Sequence, residues 1–297
     1  MLVAGGTRQF GAGTMRSRLL LERRVFAHVV MRDRLVFDAR FVPAEQGRSD
    51  QVVLYLLVSG TFEVLAPRPM VFEGPVAFVL DEDQFEGALG ERSLVFRSAG
   101  RPYVAIELRF AREDVLVDPP SKPAHIASDE AMWRAVRSLI DLEDAALAAD
   151  AMRALLGELA RLGLVREDLV DSVTSSDGRF ARVWHALRPM IERFYVLPTL
   201  AEVSVGSGLS LRQLAREMVA FTASFRVGSH WRDVVRRLRL KIAVVGLSAP
   251  EATIASVSRA AGYGSTDAMA RAFRDAGLPA PTAVQAAVRV HPIFDAP

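Results

Sequence analysis

Between residues 17 and 117, hydrophobic and polar positions alternate in short runs that are separated by glycine and proline. The longest apolar run ends at Ser59-Gly60, and the alternating run after it stops at Pro67 and Pro69. Several short strands with this punctuation are typical of a β-sandwich or a small barrel. The predicted strands lie at Arg34 to Val42, Val52 to Val58, Thr61 to Leu65, Val76 to Leu80, Ser93 to Arg97 and Tyr103 to Phe110.

The segment Asp118–Pro123 contains three prolines, which exclude regular structure there. After it, apolar residues recur at the spacing of an amphipathic helix. Ser128-Asp129-Glu130 is a helix-start signal, and a second apolar stripe at helical spacing runs from Ala145 to Leu162. Residues 121–177 are therefore predicted to be a helical linker, which ends in the polar segment Val173–Gly178. Its apolar stripes need a partner surface, either the chain's own barrel or a second copy of the chain.

The last third of the chain contains an internal repeat. Each copy has an apolar-small pair, a glycine turn, a serine and an amphipathic run that ends apolar-small-Arg-any-apolar. This is the layout of a helix-turn-helix: the small residue lets two helices cross closely, the glycine forms the turn, and the serine caps the second helix. The copies read Val203-Ser204, Gly208-Leu209-Ser210, Leu214–Met218 and Val257-Ser258, Gly262-Tyr263, Ser265, Met269–Phe273.

The doubled helix-turn-helix with a connecting helix resembles the AraC/XylS family of transcription regulators, over residues 178–290. Three features depart from the family pattern: Val284-Gln285 replaces the usual Tyr-Arg, Phe221–Ser229 makes a longer segment, and Gly246 replaces a leucine. The connector Arg237–Ala243 fits the pattern. The second copy carries most of the resemblance, at Ala261-Gly262-Tyr263-Gly264-Ser265, Met269, Arg271, Phe273, Arg274, Gly277, Pro279 and Pro281.

The resemblance implies an α+β chain in three parts. These are a β-rich cupin-like barrel at residues 17–120 that binds a small-molecule effector, the helical linker at 121–177, and an all-α DNA-binding domain at 178–297. It implies a cytoplasmic, sequence-specific regulator that binds promoter DNA and contacts RNA polymerase, without a membrane partner. Since such linkers often form a dimer contact, we expect a homodimer through residues 126–165, with packing on the barrel as the alternative. We also expect residues 178–297 to bind DNA as an isolated fragment.

The two recognition helices are predicted to begin near Ser210 and Ser265 and to enter successive major grooves about 34 Å apart. Leu211, Leu214, Met218, Met269 and Phe273 are expected to face the core. Arginine and glutamine can pair bidentately with guanine and adenine. A carboxylate can accept from cytosine N4 but repels phosphates and cannot pair with guanine, so most base discrimination is expected from the first helix. The predicted DNA-binding residues are Ser210, Arg212, Gln213, Arg216, Ser265, Thr266, Asp267, Arg271 and Arg274.

The charge of the chain is unevenly distributed, although its formal net charge is only +2. Residues 179–297 contain 16 Arg and Lys against 8 Asp and Glu, a net charge of +8, while residues 1–178 contain 21 against 27, a net charge of −6. This asymmetry indicates a basic module with an anionic partner. The chain lacks cysteine, and none of its apolar runs approaches the ~20 residues that span a bilayer. The glycine-rich stretch 1–16 is predicted to be a disordered leader, and Met15 is an alternative start.

The predicted barrel carries aromatic residues that either line a ligand cavity or fill the core: Tyr55, Phe62, Phe78, Phe96 and Tyr103. Because no histidine lies between His28 and His125, we expect no metal site. The resemblance to a family of regulators implies no cofactor and no catalytic residues. One alternative is a cupin-type enzyme, which would need acid–base groups among residues 30–110. The acids available there are Glu63, Glu73, Asp81, Glu82, Asp83 and Glu107. A third possibility is a regulator that acts through protein contacts, because the second recognition helix exposes alanines and Asp267.

Overall fold

The computed structural model describes residues 1–42, 51–66, 69–81, 95–117, 123–173, 178, 180–193, 199–225 and 231–291. The strands are β1 (Leu2–Phe10), β2 (Gly13–Leu21), β3 (Val25–Asp33), β4 (Phe37–Asp38), β5 (Gln51–Ala66), β6 (Met70–Glu73), β7 (Val76–Asp81), β8 (Val95–Ala111) and β9 (Ala124–His125). The helices are α1 (Glu130–Ile140), α2 (Ala148–Arg161), α3 (Asp168–Ser172), α4 (Ala181–Glu192), α5 (Leu200–Ser207), α6 (Leu211–Ser224), α7 (Trp231–Ser248), α8 (Ile254–Ala260), α9 (Thr266–Asp275) and α10 (Pro281–Arg289).

The strands form one antiparallel sheet in the order β1-β2-β3-β8-β5-β7-β9, with β4 paired to β8 and β6 paired to β5. The sheet comes first in the chain and the helices follow, so the fold class is α+β, as predicted. β5 and β8 are the long central pair, and their register shifts at Ser59 and again at Thr61. Such bulges bend a strand and increase its twist, which lets the sheet curve over its own side chains.

The sheet has two faces with different contents, because successive side chains of a strand point in opposite directions. Val52, Leu54 and Leu56 of β5 lie on what we call the outer face, which packs against α1, α2 and α3. Val53 and Leu57 lie on the inner face, among aromatic side chains from β5, β6, β7 and β8. The nearly continuous apolar run of β5 follows from this arrangement, since both of its faces are buried.

The apolar stripes of α1 and α2 are buried within their own chain. Met132, Val136 and Leu139 of α1 and Leu155 and Leu159 of α2 are fully buried in the cluster that includes the outer face. The structure therefore supports the alternative of packing on the chain's own sheet. A dimer through residues 126–165 stays a prediction, and it would have to use surface other than these buried side chains.

The prediction of a disordered leader at residues 1–16 is wrong, since these residues form β1 and the start of β2. The even-numbered side chains of β1 face the helical module: Leu2 and Ala4 pack with α4, α5 and α6, and Phe10 packs with α7 to α10. A Cβ atom at Gly6 would lie 2.5 Å from the carbonyl oxygen of Glu192 at the end of α4. Glycine is thus required here by close backbone approach.

The helical region contains two apolar clusters, one for each copy of the repeat. Phe180, Trp184, Leu214, Met218 and Phe221 form the cluster of the first copy, and Leu2, Ala4 and Leu21 of the sheet complete it. The second cluster contains α7, α8, α9 and α10 and is completed by Phe10, Met15, Leu35 and Val42. Residues 178–297 are consequently not a self-contained unit, because both of their cores include side chains from the sheet.

The proline-rich segment Asp118–Pro123 and the polar segment Val173–Gly178 lie largely outside the described residues, which leave out 118–122 and 174–177. Residues 226–230 of the long segment after the first recognition helix also lie outside them. No described helix is both long and apolar enough to cross a membrane.

The unusual Gly246 of α7 is explained by Phe10 of β1. A Cβ atom at position 246 would lie 2.6 Å from Cδ1 of the Phe10 ring, so the ring occupies the space that a larger residue would fill. Phe10 itself is buried, as part of the cluster around α7. The Phe10 ring, from the first strand, fills the volume that a leucine side chain at position 246 would occupy.

We predict that Gly246→Ala lowers the free energy of unfolding by about 1–3 kcal/mol, because an inserted methyl group overpacks the contact with Phe10. Gly157→Ala in α2 is the matched control, since a Cβ atom there meets nothing within 4 Å. It should stabilise the chain by up to about 1 kcal/mol through helix propensity. Denaturant unfolding measures both, and Phe10→Leu should recover part of the loss. A Gly246→Ala protein as stable as wild type would contradict the close packing of β1 on α7.

Candidate functional site

The first copy of the repeat forms a helix-turn-helix from α5 and α6. Thr199 caps α5 in a capping box with Glu202, and α5 ends at Gly208, whose φ of 67° lies in the left-handed region. Ser210 caps α6 by accepting a hydrogen bond from the backbone N–H of Gln213 at 3.3 Å. The glycine and the serine therefore have the turn and cap roles that the repeat predicted.

The outward face of α6 carries two arginines without a structural role in packing. Arg212 and Arg216 are exposed, while Leu214 and Met218 are buried in the first cluster, as expected from their spacing. Leu211 was expected to face the core, but 59% of its surface is exposed. It occupies the first position of the helix, where the side chain lies beyond the edge of the core.

Gln213 was predicted to read a base, but its side chain caps the helix. Its Oε1 atom accepts hydrogen bonds from the Ser210 backbone N–H at 3.1 Å and from the Ser210 hydroxyl at 2.8 Å. This is the reciprocal half of a capping box, in which the third helical residue reaches back to the cap. The sequence Ser-x-x-Gln at the helix start was the signal that could have revealed this role.

The second copy repeats this arrangement in α8 and α9. α8 is followed by Gly262, with φ of 77°, and Ser265 caps α9 by accepting from the backbone N–H of Ala268 at 3.1 Å. Met269 and Phe273 are fully buried in the second cluster, as predicted. The residues left exposed are Ser265, Thr266, Asp267, Ala270, Arg271 and Arg274.

Arg239 on the connector α7 holds the turn of the second helix-turn-helix. Its Nη2 atom donates to the carbonyl oxygen of Gly262 at 2.5 Å, and its guanidinium lies 5.5 Å from the centre of the Tyr263 ring. Burial lowers the pKa of Arg239 from its ordinary value. Two arginines of α7 therefore differ in role, because Arg239 is a positioning residue whereas Arg236 is exposed.

A buried arginine lies at the inner face of the sheet. Only 5% of Arg32 is exposed, its Nη2 atom donates to the Ser98 hydroxyl at 2.7 Å, and its guanidinium lies 4.2 Å from the centre of the Tyr103 ring. Its Nε and Nη1 atoms have no hydrogen-bond acceptor among the described residues. Burial lowers the pKa of Arg32, as expected for a cation without a carboxylate partner.

A second polar group on the inner face surrounds His28 of β3. Its Nε2 atom lies 2.8 Å from the Ser17 hydroxyl, and its Nδ1 atom lies 4.0 Å from Oε2 of Glu107. Loss of hydration lowers the pKa of His28 to about 4, against the attraction of Glu107 and with the repulsion of Lys241. Burial also lowers the pKa of Lys241 to about 8. Because Lys241 belongs to α7, a positive charge on the connector helix lies close enough to the sheet to lower the pKa of His28.

The five aromatic residues proposed as ligand contacts lie in one cluster on the inner face. The Tyr55 and Phe78 rings stack with centres 5.2 Å apart, and the Phe62 and Phe96 rings stack with centres 4.7 Å apart. Phe62, Phe78 and Tyr103 are fully buried. These contacts place the rings against one another as a core, with Tyr103 connecting that core to Arg32.

Two of the acids that an enzyme would need are engaged in ion pairs. Glu63 accepts from Arg97 and lies 3.2 Å from Nε2 of His291, and Glu107 accepts from Arg109 at 2.6 Å. Glu82 and Asp83 lie outside the described residues. Within the described part of the chain, no group of three or more His, Cys, Asp or Glu side chains could hold a metal ion.

Comparison with known proteins finds no matching family model. Among solved structures, ToxT from Vibrio cholerae O395 is 9% identical, with a TM-score of 0.38, over 91% of this chain and 100% of that one. The AraC-like transcriptional activator CuxR is 12% identical, with a TM-score of 0.32, over 77% and 80% of the two chains. Similarity at this level carries no functional argument, so the assignment depends on the residues of the chain itself.

We predict that acid destabilises the protein through His28. The pKa of His28 is about 4 in the folded chain, against an ordinary value of 6.5, so the unfolded state binds the proton first. The stability that neutral His28 contributes is complete above pH 6.5 and is lost as the pH falls to 4. Between these values, wild type should lose up to about 3 kcal/mol more free energy of unfolding than His28→Gln.

Exposed His185 on α4 provides the control, because His185→Gln should follow the wild-type curve. Denaturant unfolding at several pH values measures the difference. If wild type and His28→Gln lose stability in parallel, the result contradicts the lowered pKa of His28 in the folded chain.

Proposed function

We propose that this chain is a sequence-specific DNA-binding transcription regulator of the AraC/XylS type. The observation that carries the proposal is the pair of helix-turn-helix units, in which Ser210 and Ser265 cap α6 and α9 at equivalent positions. Each capped helix buries one apolar side and exposes the other. The units belong to the half of the chain that carries a net charge of +8, which favours a phosphate backbone as partner.

In this proposal, α6 and α9 enter neighbouring major grooves and have unequal roles. Arg212 and Arg216 of α6 are exposed and long enough to reach guanine O6 and N7, so α6 discriminates bases. On α9, Arg271 and Arg274 contact phosphates, and Asp267 faces the groove, where it can accept from cytosine N4 but cannot pair with guanine. Thr266 adds a hydroxyl and a methyl group. Regulation of transcription further requires contact with RNA polymerase, which we include as part of the function.

The proposed effector is a small organic acid that binds at the inner face of the sheet. Arg32 is a buried cation whose Nε and Nη1 nitrogens lack an acceptor among the described residues, and unpaired donors of a buried charge are costly. A carboxylate would accept from these donors, the Tyr103 hydroxyl would add a further hydrogen bond, and the aromatic cluster would contact the apolar part of the acid. ToxT has been solved with an unsaturated fatty acid bound and with a naphthalenyl butenoic acid bound.

Effector binding can influence DNA binding through α7, because Lys241 of that helix acts electrostatically on His28 of the sheet. An anion near Arg32 adds negative charge to the same face, close to the positive charge of Lys241. The observation that favours this route is the shared core: Phe10, Leu35 and α7 belong to one apolar cluster. Movement of the sheet would therefore be transmitted to the connector.

We predict that Arg212→Ala and Arg216→Ala each weaken binding of the full chain to a selected duplex by about 1–3 kcal/mol and relax sequence preference at defined positions. The duplex is obtained by selection from a random library, and affinity is measured by fluorescence anisotropy against single-base variants. Arg274→Ala is the matched control: it should weaken all sequences alike and reduce the salt slope by about one phosphate. If the full chain prefers no sequence and binds duplexes no better than an acidic protein at low salt, the proposed function is wrong.

We predict that carboxylic acids stabilise the chain through Arg32. In a melting screen with benzoate, cinnamate and decanoate, an acid present at 100 times its Kd should add about 2.7 kcal/mol to the free energy of unfolding. Arg32→Met should abolish this gain, whereas Arg34→Met, at an exposed position just beyond β3, should preserve it. The corresponding amides serve as uncharged controls. Equal stabilisation of the wild-type and Arg32→Met proteins would contradict an acid effector at this position.

A further inference from the structure

Three exposed side chains form an apolar stripe along α6, between the buried side of the helix and its two outward arginines. Leu211, Ala215 and Val219 are spaced four residues apart, so they lie on one side of the helix and span about 12 Å at 1.5 Å per residue. The exposed fraction is 59% for Leu211 and 65% for Val219. Arg212 and Arg216 run directly beside this stripe. The exposed surface of α6 therefore carries an apolar stripe with a basic row beside it.

The stripe makes no use of the core of the first helix-turn-helix. That core takes Leu214, Met218 and Phe221, which lie on the side of α6 next to the stripe, and all three are buried. Single exposed apolar residues are common on protein surfaces, but a row of three beside two arginines on a capped helix needs a partner with both apolar and anionic groups. Charge alone does not explain the row.

Comparison of the two helices shows that this stripe is particular to α6. When the capping residues Ser210 and Ser265 are aligned, the stripe positions correspond to Thr266, Ala270 and Arg274 of α9. The apolar residues at the two ends of the stripe are thus replaced by a hydroxyl-bearing residue and a cation. The second helix cannot present a continuous apolar row to the same kind of surface.

We propose that the stripe of Leu211, Ala215 and Val219 reads thymine C5-methyl groups in the major groove. This inference rests on the proposed function, in which α6 is a recognition helix. The C5-methyl of thymine is the apolar group that base pairs present in the major groove, and side chains recognise it by direct apolar contact. The neighbouring arginines supply the complementary charge for phosphates and guanine. Since Gln213 is held in the helix cap, it does not read adenine. In this proposal the A·T pair is recognised through the methyl group of its thymine instead.

Replacement of thymine by uracil tests the proposal, because it removes only the C5-methyl group. The full chain is titrated with its selected duplex and with duplexes in which each dT of the α6 half-site is changed in turn to dU. We expect affinity to fall about fourfold at each contacted position, the value for one buried methyl group. Positions opposite α9 should show a smaller change, since α9 lacks the apolar row.

Two variants connect the effect to particular side chains. Val219→Ala and Leu211→Ala should each remove the uracil effect at one position while the other position stays sensitive. Val205→Ala is the matched control, because Val205 is 83% exposed but lies on α5 outside the stripe. It should leave the uracil profile unchanged. All three positions are exposed, so the melting temperatures should stay close to that of wild type, which verifies the fold.

Several outcomes overturn the inference. If uracil duplexes bind as well as thymine duplexes, or if the uracil effect survives both variants, the stripe does not read thymine. If the variants change the oligomeric state in light scattering but not the uracil profile, the stripe is a protein contact. Failure to bind any duplex would refute the proposed function itself, and the inference with it, whereas uracil-insensitive binding refutes the inference alone.

Discussion

The packing of β1 between the sheet and both helix-turn-helix units is the contact on which the rest of the structure depends. Leu2 and Ala4 complete the core of the first unit, and Phe10 completes the core of the second. Between them, Arg8 donates to the carbonyl oxygen of Glu192 at 2.7 Å, which satisfies the C-terminal end of α4. One strand thus fixes both units at the same time. Their separation is set by the rise along β1 rather than by α7 alone.

The helix-turn-helix units were predictable because their signals are local. A left-handed glycine, a capping serine and apolar residues at helical spacing determine a turn and two helices within some twenty residues, and Gly208, Ser210 and Leu214 have these roles in the structure. Local signals were ambiguous where one residue type can have two roles. Gln213 can read adenine or complete a capping box, and its short distance from Ser210 decided for the cap.

The role of β1 was missed because it depends on contacts between distant parts of the chain. Glycine-rich sequence is typical of disorder, but Gly6 is a glycine because α4 approaches the strand closely. The alternation of Leu2, Ala4 and Phe10 was a signal of strand structure that composition concealed. The partner of the α1 and α2 stripes was equally open, since an amphipathic helix shows that it has a partner without identifying it. The pairing of Arg32 with Ser98 likewise required the sheet register.

The contact between Phe10 and Gly246 limits which substitutions this chain can accept during evolution. A ring from the first strand occupies the space of a missing side chain on the connector helix, so the two positions are complementary in volume although they lie near opposite ends of the chain. Substitution at either position alone leaves a clash or a cavity. The sheet and the helical module are therefore not freely exchangeable with those of other regulators. A chimera would keep this packing only if its two halves brought the ring and the glycine together.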